Sequence, residues 1–328
     1  LPIAARAAGM RRAGELLRQR KEAYARLITL EMGKPLSEAL AEIEKSAWTC
    51  DHYADHAARL LADEPVPANG SYSAVTYDPL GVVLAIMPWN YPFWQFVRFA
   101  APTLCAGNGA VLKHAGNVPQ CALALEELFR DAIGVPGLVG NVFVEPERVA
   151  ALIDDPRIAA VTLTGSTAVG KLVAAQAGRA MKKQVLELGG SDPFIVLADA
   201  DVERAAAAAA KARFSNTGQS CISAKRFIVD ERVADEFSAR LCTHAGALRM
   251  GDPLQTGTGL GPMARANLRT ALHDQVERSL AQGAELKLGG RMPDGPGFFY
   301  PATVLDHVTP AMAAGCEETF GPVAAVMR

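Results

Sequence analysis

The chain has 328 residues, half of them hydrophobic and 21% charged, with a formal net charge of −2 at neutral pH. This describes a globular protein with a large core, long enough for two or more domains. Near-neutrality gives no electrostatic footprint for nucleic acid or an anionic membrane, and no apolar run reaches membrane-spanning length. Cysteines at 50, 105, 121, 221, 242 and 316 lie far apart, without a C-x-x-C pair. That argues against a disulfide framework or zinc knuckle and for a reducing compartment, with a cytoplasmic location expected. The first residue is Leu1, and Val323–Arg328 reads as a strand cut short, so a fragment of a longer chain is expected at both ends.

In chain order, residues 1–62 read as helices, with amphipathic spacing at Met10–Leu17 and Ala25–Ile28, a break at Glu31–Pro35 and a third helix over Ser37–Leu61. His52 and His56 stand four apart on that helix, but Tyr53 takes the place where a helical zinc peptidase needs Glu; a solvated polar face is the better reading. After the turn signal Asn69-Gly70, Ser71–Tyr77 is strand-like. From Gly81 onward short apolar strands alternate with helices: strands at 81–87, 110–113, 140–144, 159–163 and 184–188, helices at 93–106 and 119–133 and after Gly165. The pattern predicts an α/β fold with a doubly wound parallel sheet, which binds ligands at the carboxyl ends of its strands. Beyond Gly190, strands at 194–197 and 226–229 and near Leu286, Ala302 and Val323, with helices at 202–214, 233–248 and 264–282, predict a second α/β domain.

Several stretches carry chemistry. Asn216-Thr217-Gly218-Gln219-Ser220-Cys221 puts a cysteine among turn formers and hydrogen-bonders at a helix-to-strand connection, a polar setting in which a thiolate can act as nucleophile. Thr164–Leu172 nearly spells a P-loop, but Leu172 stands where magnesium needs Ser or Thr; a Gly165-Ser166 turn at a helix start still suits a dinucleotide pyrophosphate. The usual G-x-G-x-x-G fingerprint is absent. Glu187 ends an apolar strand, a setting that suits a carboxyl to general-base work; read alone, it is equally an exposed strand-end charge. Pro88–Pro92 closes a strand with a rigid turn from which the Asn90 amide can face an oxyanion, or simply make the turn. Lys113 ends the next strand, within reach of ribose or phosphate oxygens or solvated. Arg98 is a lone cation on an apolar helix, either snorkelling or an anion site.

Taken in order, P-W-N at 88–90, the Lys113 strand end, L-T-G-S-T at 163–167, E-L-G-G at 187–190, N-T-G-Q-S-C at 216–221 and E-E-T-F-G-P at 317–322 resemble the aldehyde dehydrogenase superfamily over nearly the whole chain. The segments at 111–115, 187–197 and 224–229 are most similar to bacterial succinate semialdehyde dehydrogenases. The resemblance implies a dinucleotide-binding domain over 1–62 and 80–189, an oligomerisation arm over 63–79 and a catalytic domain over 190–328, incomplete at its C-terminal side. It implies Cys221 as nucleophile, Glu187 as base and Asn90 as oxyanion ligand. NAD or NADP would be held by Trp89, Lys113, Gly165, Ser166, Leu188, Glu318 and Phe320. Arg98, with Gln95 one turn earlier, would bind the carboxylate of a semialdehyde. NAD-preferring relatives carry Glu where this chain has Gly116, which leaves NADP open. A second cysteine of some relatives is replaced by Ser223. A homo-oligomer, dimer or tetramer, is implied, with a small-molecule aldehyde as substrate and no nucleic-acid or membrane partner. Other readings are a broad-specificity aldehyde dehydrogenase, a non-catalytic cofactor-binding relative, and a cysteine esterase or acyl-transfer enzyme; no histidine falls in a motif matching the last.

Overall fold

The structure is a computed structural model and describes residues 1–328. Two units carry the chain: Leu1–Ile28 with Leu40–Leu188, and Thr29–Ala39 with Gly189–Arg328.

The first unit begins with three helices, α1 (Ile3–Gln19), α2 (Lys21–Met32) and α3 (Leu36–Leu60); the last turn of α2 and the first of α3 belong to the second unit. Gly33, at φ +81°, ends α2, and Pro35 fixes the restart. A short antiparallel hairpin follows, β1 (Glu64–Pro65) and β2 (Ala74–Val75). Then come β3 (Val82–Met87), α4 (Pro92–Cys105), β4 (Gly109–His114), α5 (Pro119–Ile133), β5 (Val139–Asn141), α6 (Val149–Asp154), β6 (Ile158–Thr164), α7 (Thr167–Arg179) and β7 (Lys183–Glu187). The last five strands form one parallel sheet in the order β5-β4-β3-β6-β7. Its direction reverses between β3 and β6, so their carboxyl ends mark the crevice where such sheets take ligands.

The structure departs from expectation in the hairpin. The strand expected over 71–77 pairs only at Ala74 and Val75, because nothing but β1 lies alongside it; Tyr72, Val75 and Tyr77 stay exposed. The near-P-loop is also explained. A Cβ on Gly170 would lie 2.5 Å from Leu188 Cδ2, so this glycine lets α7 seat closely on the Leu188 side chain.

The second unit has β8 (Asp192–Val196), α8 (Val202–Phe214), β9 (Ala224–Val229), α9 (Glu231–Gly246), α10 (Ala266–Ala281), β10 (Glu285–Leu288), β11 (Thr303–Asp306), α11 (Ala313–Cys316) and β12 (Val323–Met327). Its sheet runs β10-β11-β12-β9-β8, parallel except for β10 on β11. Phe214, Phe227, Phe237, Leu241 and Val326 are buried in the core on one face, and Leu272, Val276, Tyr300 and Leu305 on the other. The small residues of Ala205–Ala210 let α8 lie close to its neighbours. No helix is long and apolar enough to cross a membrane.

One buried carboxylate sets the turn after β3. Glu42 of α3, 3% exposed, accepts from the Phe93 and Trp94 amides at 2.9 and 3.1 Å and so caps α4 from outside the helix. Glu42→Ala orphans both donors and is expected to cost about 2–3 kcal/mol in urea denaturation, whereas Glu42→Gln, which keeps an acceptor, is expected to lose less than half of that.

Candidate active site

In the first unit, the residues singled out from sequence gather at the carboxyl end of the sheet. Trp89 and Asn90 follow β3 and are 8% and 5% exposed. Lys113 is the penultimate residue of β4 and half-buried; burial lowers its pKa, opposed by Glu145. Gly165 follows β6, and its amide donates to the Glu187 carbonyl at 3.0 Å, fixing β7 to the α7 turn. Ser166 caps α7 by accepting from the Val169 amide at 3.4 Å. Ser166, Thr167, Ala168 and Val169 are exposed, so the first turn of α7 offers its amides to an anion.

His114, which the sequence reading passed over, holds this end of the sheet together. The Ala115 amide donates to Nδ1 at 2.9 Å, which leaves the proton on Nε2, and Nε2 donates to the Pro92 carbonyl at 3.0 Å. The imidazole thus ties the end of β4 to the start of α4, beside the turn that carries Asn90. Burial pushes its pKa down to about 4 against the two backbone bonds to Pro92 and Met87, so the ring is neutral.

Glu187, Arg98 and Gln95 line one cavity of about 650 Å³ between α4 and the strand face of β6 and β7. Glu187 does not lie in the apolar burial expected for it. Its side chain is 51% exposed, because β7 is an edge strand with an uncovered face, and its carboxylate stands 3.5 Å from the Arg98 guanidinium. Arg98 also lies over the Trp94 ring, 5.1 Å from its centre. Gln95 is 2% exposed, and its Oε1 has no hydrogen-bond partner within the protein. A buried amide oxygen left in this way at a cavity wall is an acceptor held ready for a ligand or water.

In the second unit, Cys221 follows a strained loop. Asn216 (φ 55°, ψ 34°) and Thr217 (φ 53°, ψ 35°) are both left-handed, a conformation costly for any residue with a Cβ and most of all for a β-branched one. Side chains from well-separated stretches hold them there. Glu38 Oε2 accepts from the Asn216 amide at 2.5 Å, Thr217 Oγ1 donates to the Gly261 carbonyl at 3.3 Å, and Gln219 Oε1 accepts from the Ala264 amide at 3.0 Å. Glu38 is buried, which raises its pKa against the Asn216 amide and Lys34. Gly218 (φ +70°) must be glycine, since a Cβ there would overlap the Gly321 carbonyl.

Asn216, Thr217, Gln219 and Ser220 are buried, and Cys221 emerges partly exposed. The six cysteines are all free. Burial pushes the Cys105 thiol up to about 11 and raises Cys50 and Cys242 as well, making these three poor nucleophiles.

Arg213, at the end of α8, is wholly buried and escaped the sequence reading because it resembles an ordinary helix-end cation. It donates to the carbonyls of Ala224 (3.3 Å), Gly218 (3.0 Å), Thr319 (3.1 Å) and Gly321, tying the Cys221 loop to the 317–322 loop. Burial presses its pKa down to about 9, still charged at neutral pH. The two adjacent glutamates of the latter loop face different partners. Glu317 forms a two-point pair with Arg278 at 2.6 and 2.8 Å, which holds its carboxyl down to about 2. Glu318 faces the Lys225 ammonium at 3.6 Å and lies over Gly189, where any Cβ would overlap its carboxylate. Phe320 is half-buried and lines a small pocket with Glu317 and Glu318.

A model of the aldehyde dehydrogenase family matches residues 1–328, and the chain belongs to that family. It is 53% identical over 322 residues to the succinate semialdehyde dehydrogenase [NAD(P)+] Sad of Escherichia coli (strain K12), covering 98% of this chain and 70% of the relative. It is 49% identical over 324 residues to a probable succinate-semialdehyde dehydrogenase [NADP(+)] of Synechocystis sp. (strain ATCC 27184 / PCC 6803 / Kazusa), covering 99% of this chain and 71% of the relative. Among solved structures, the succinic semialdehyde dehydrogenase of Streptococcus pyogenes, in complex with NADP+, superposes with a TM-score of 0.96 at 36% identity, covering 99% of this chain and 71% of that one. The α/β fold expected from sequence is the fold of these relatives.

Because His114 is neutral when folded and ordinarily basic when unfolded, the unfolded chain binds more protons between pH 6.5 and about 4. This contribution is intact above pH 6.5 and lost as pH falls through that window. Between pH 7 and pH 4.5, urea denaturation is expected to show wild type losing about 2–3 kcal/mol more than His114→Gln.

Proposed function

We propose that this protein is an NAD(P)-dependent aldehyde dehydrogenase that oxidises succinate semialdehyde to succinate through a covalent intermediate on Cys221. The observation that carries the reading is the Cys221 loop: a strained backbone, held by Glu38 and Arg213, that buries its neighbours and leaves the Cys221 thiol partly exposed. The relatives' activities support the substrate class.

The residues fit a dinucleotide. The α7 turn is open to an anion at Ser166, Lys113 stands near the carboxyl end of β4 in the same sheet, and Gly189 leaves room for the Glu318 carboxylate. Trp89, Lys113, Gly165, Ser166 and Leu188 in the first unit, and Glu318 and Phe320 in the second, would hold the cofactor. The nicotinamide supplies the hydride acceptor when bound. A Cβ on Gly116 would meet nothing within 4 Å, so this position presents neither carboxylate nor bulk against a 2′-phosphate. On this reading the first unit is the cofactor domain, the second the catalytic domain, and the β1–β2 hairpin with its exposed Tyr72, Val75 and Tyr77 an arm for subunit contact in a dimer or tetramer.

The Cys221 thiolate adds to the aldehyde carbon, and the Asn90 amide and the Cys221 N–H stabilise the oxyanion. Loss of hydride from that carbon leaves a thioester. Glu187 takes a proton from water, which attacks the thioester, releases the acid and returns the thiolate. Arg98 clasps the far carboxylate of the semialdehyde, in place of the contact it makes with Glu187, and Gln95 offers its amide to the same cavity.

Two experiments test this. Cys221→Ala is expected to bind NADP+ and oxidise nothing, while Glu187→Gln gives one equivalent of NADPH at 340 nm followed by a slow steady state; turnover in Cys221→Ala would move the nucleophile elsewhere. In the second, Arg98→Ala is expected to lose about 2–4 kcal/mol in kcat/KM for succinate semialdehyde and little or nothing for butanal. Equal losses on both aldehydes would make Arg98 structural and favour a broad-specificity enzyme.

A further inference from the structure

Lys225 is the second residue of β9 and stands four positions after Cys221. Its side chain is 0% exposed. The ammonium donates to the Cys221 carbonyl at 2.7 Å and to the Ser223 carbonyl at 3.4 Å, and lies 3.6 Å from Glu318 Oε1. A lysine is rarely buried without a partner that uses its charge. Here the partners are the backbone of one working residue and the carboxylate of another. The charged and titratable groups around it are Arg213, Glu318, Asp192 and Cys221. Arg213 spends its donors on four carbonyls, and Asp192 is exposed at the start of β8. Burial lowers the lysine's pKa and Arg213 adds to this, while Glu318, Asp192 and Cys221 oppose it in part. On the other side of Glu318, Gly189 lets the carboxylate approach, and its chain neighbour Glu317 is turned away to Arg278.

We propose that Lys225 is a positioning residue that joins the Cys221 backbone and the Glu318 carboxylate into one electrostatic unit, so that the nucleophile and the acceptor for the nicotinamide ribose are set together. The proposal rests on the roles assigned above to Cys221 and Glu318. Its ammonium, 2.7 Å from the Cys221 carbonyl, is a charge held beside the proposed nucleophile.

The test compares wild type, Lys225→Met, Glu318→Gln and the double variant. Two quantities are read: the pH at which iodoacetamide alkylation of Cys221 is half-maximal, located by mass spectrometry, and the Kd of NADP+ from tryptophan fluorescence. Both single variants are expected to bind NADP+ about tenfold more weakly. Their alkylation midpoints are expected to move in opposite directions by about half a pH unit or more, upward in Lys225→Met, where the cation is gone, and downward in Glu318→Gln, where the cation is left unneutralised. The double variant is expected to return close to the wild-type midpoint. A merely structural lysine would not give opposite signs, so midpoints that move together or stay put overturn the proposal. Should Lys225→Met fail to fold, Glu318→Gln decides alone, because its carboxylate is partly exposed: a downward midpoint supports the proposal and an unmoved one overturns it. A wild-type Cys221 that resists alkylation at every pH removes the nucleophile reading and the proposal with it. A Cys221 that reacts with unmoved midpoints removes the proposal alone.

Discussion

The buried guanidinium of Arg213 is the contact on which the loop geometry of the second unit depends. Removing a full charge from water costs several kcal/mol, and no carboxylate hydrogen-bonds to this one. Carbonyl oxygens of Gly218, Ala224, Thr319 and Gly321 compensate it. Those four oxygens come from the loop before Cys221, the start of β9 and the loop carrying Glu318 and Phe320. A planar fork with five donors can satisfy several fixed acceptors at once, which a point-like ammonium cannot. The glycine at 218 follows from the same crowding, since the two loops approach so closely that a Cβ there would overlap the Gly321 backbone.

The first unit works on a different principle. Its functional side chains sit at strand ends, where the sheet supplies rigidity, and the fine placement comes from buried polar groups behind them. Glu42 caps α4, His114 ties β4 to α4, and the Gly165 amide joins β6 to β7. None of these three supporting contacts involves a charge pair exposed to solvent, so screening by salt would leave them nearly unchanged. The Arg98–Glu187 pair is the opposite case, half in water and open to screening by salt.

Much of the architecture was legible in the sequence because it is written in local signals. The helix at 119–133 is bracketed by Pro119 at its first position and Gly134 at φ +73° after its end, and that at 202–214 starts from the cap Asp201. The strand-like signal at 71–77 is used only in part, by pairing at Ala74 and Val75, and Glu187 takes the second of its two readings, an exposed charge at a strand end. The motif residues were visible, but the ones that hold them were not. Arg213 reaches Thr319 across 106 residues, and Glu38 reaches Asn216 across 178. Periodicity and propensity carry no information at that range, so a helix-end arginine and a first-turn glutamate look like solvated charges until the chain is folded.

Those same spans bear on when the thiol becomes competent. The left-handed conformation is costly for Thr217 above all, and the stretch is held by Glu38, 178 residues from Asn216, and by Gly261, 44 residues from Thr217. Contacts so distant in sequence form late, after much of the entropy of loop closure has been spent. A nascent or partly unfolded chain therefore carries Cys221 as an ordinary thiol in a relaxed backbone. The loop geometry around it arrives with the folded second unit, so under the role proposed for Cys221 its reactivity toward an aldehyde would be confined to molecules that have finished folding.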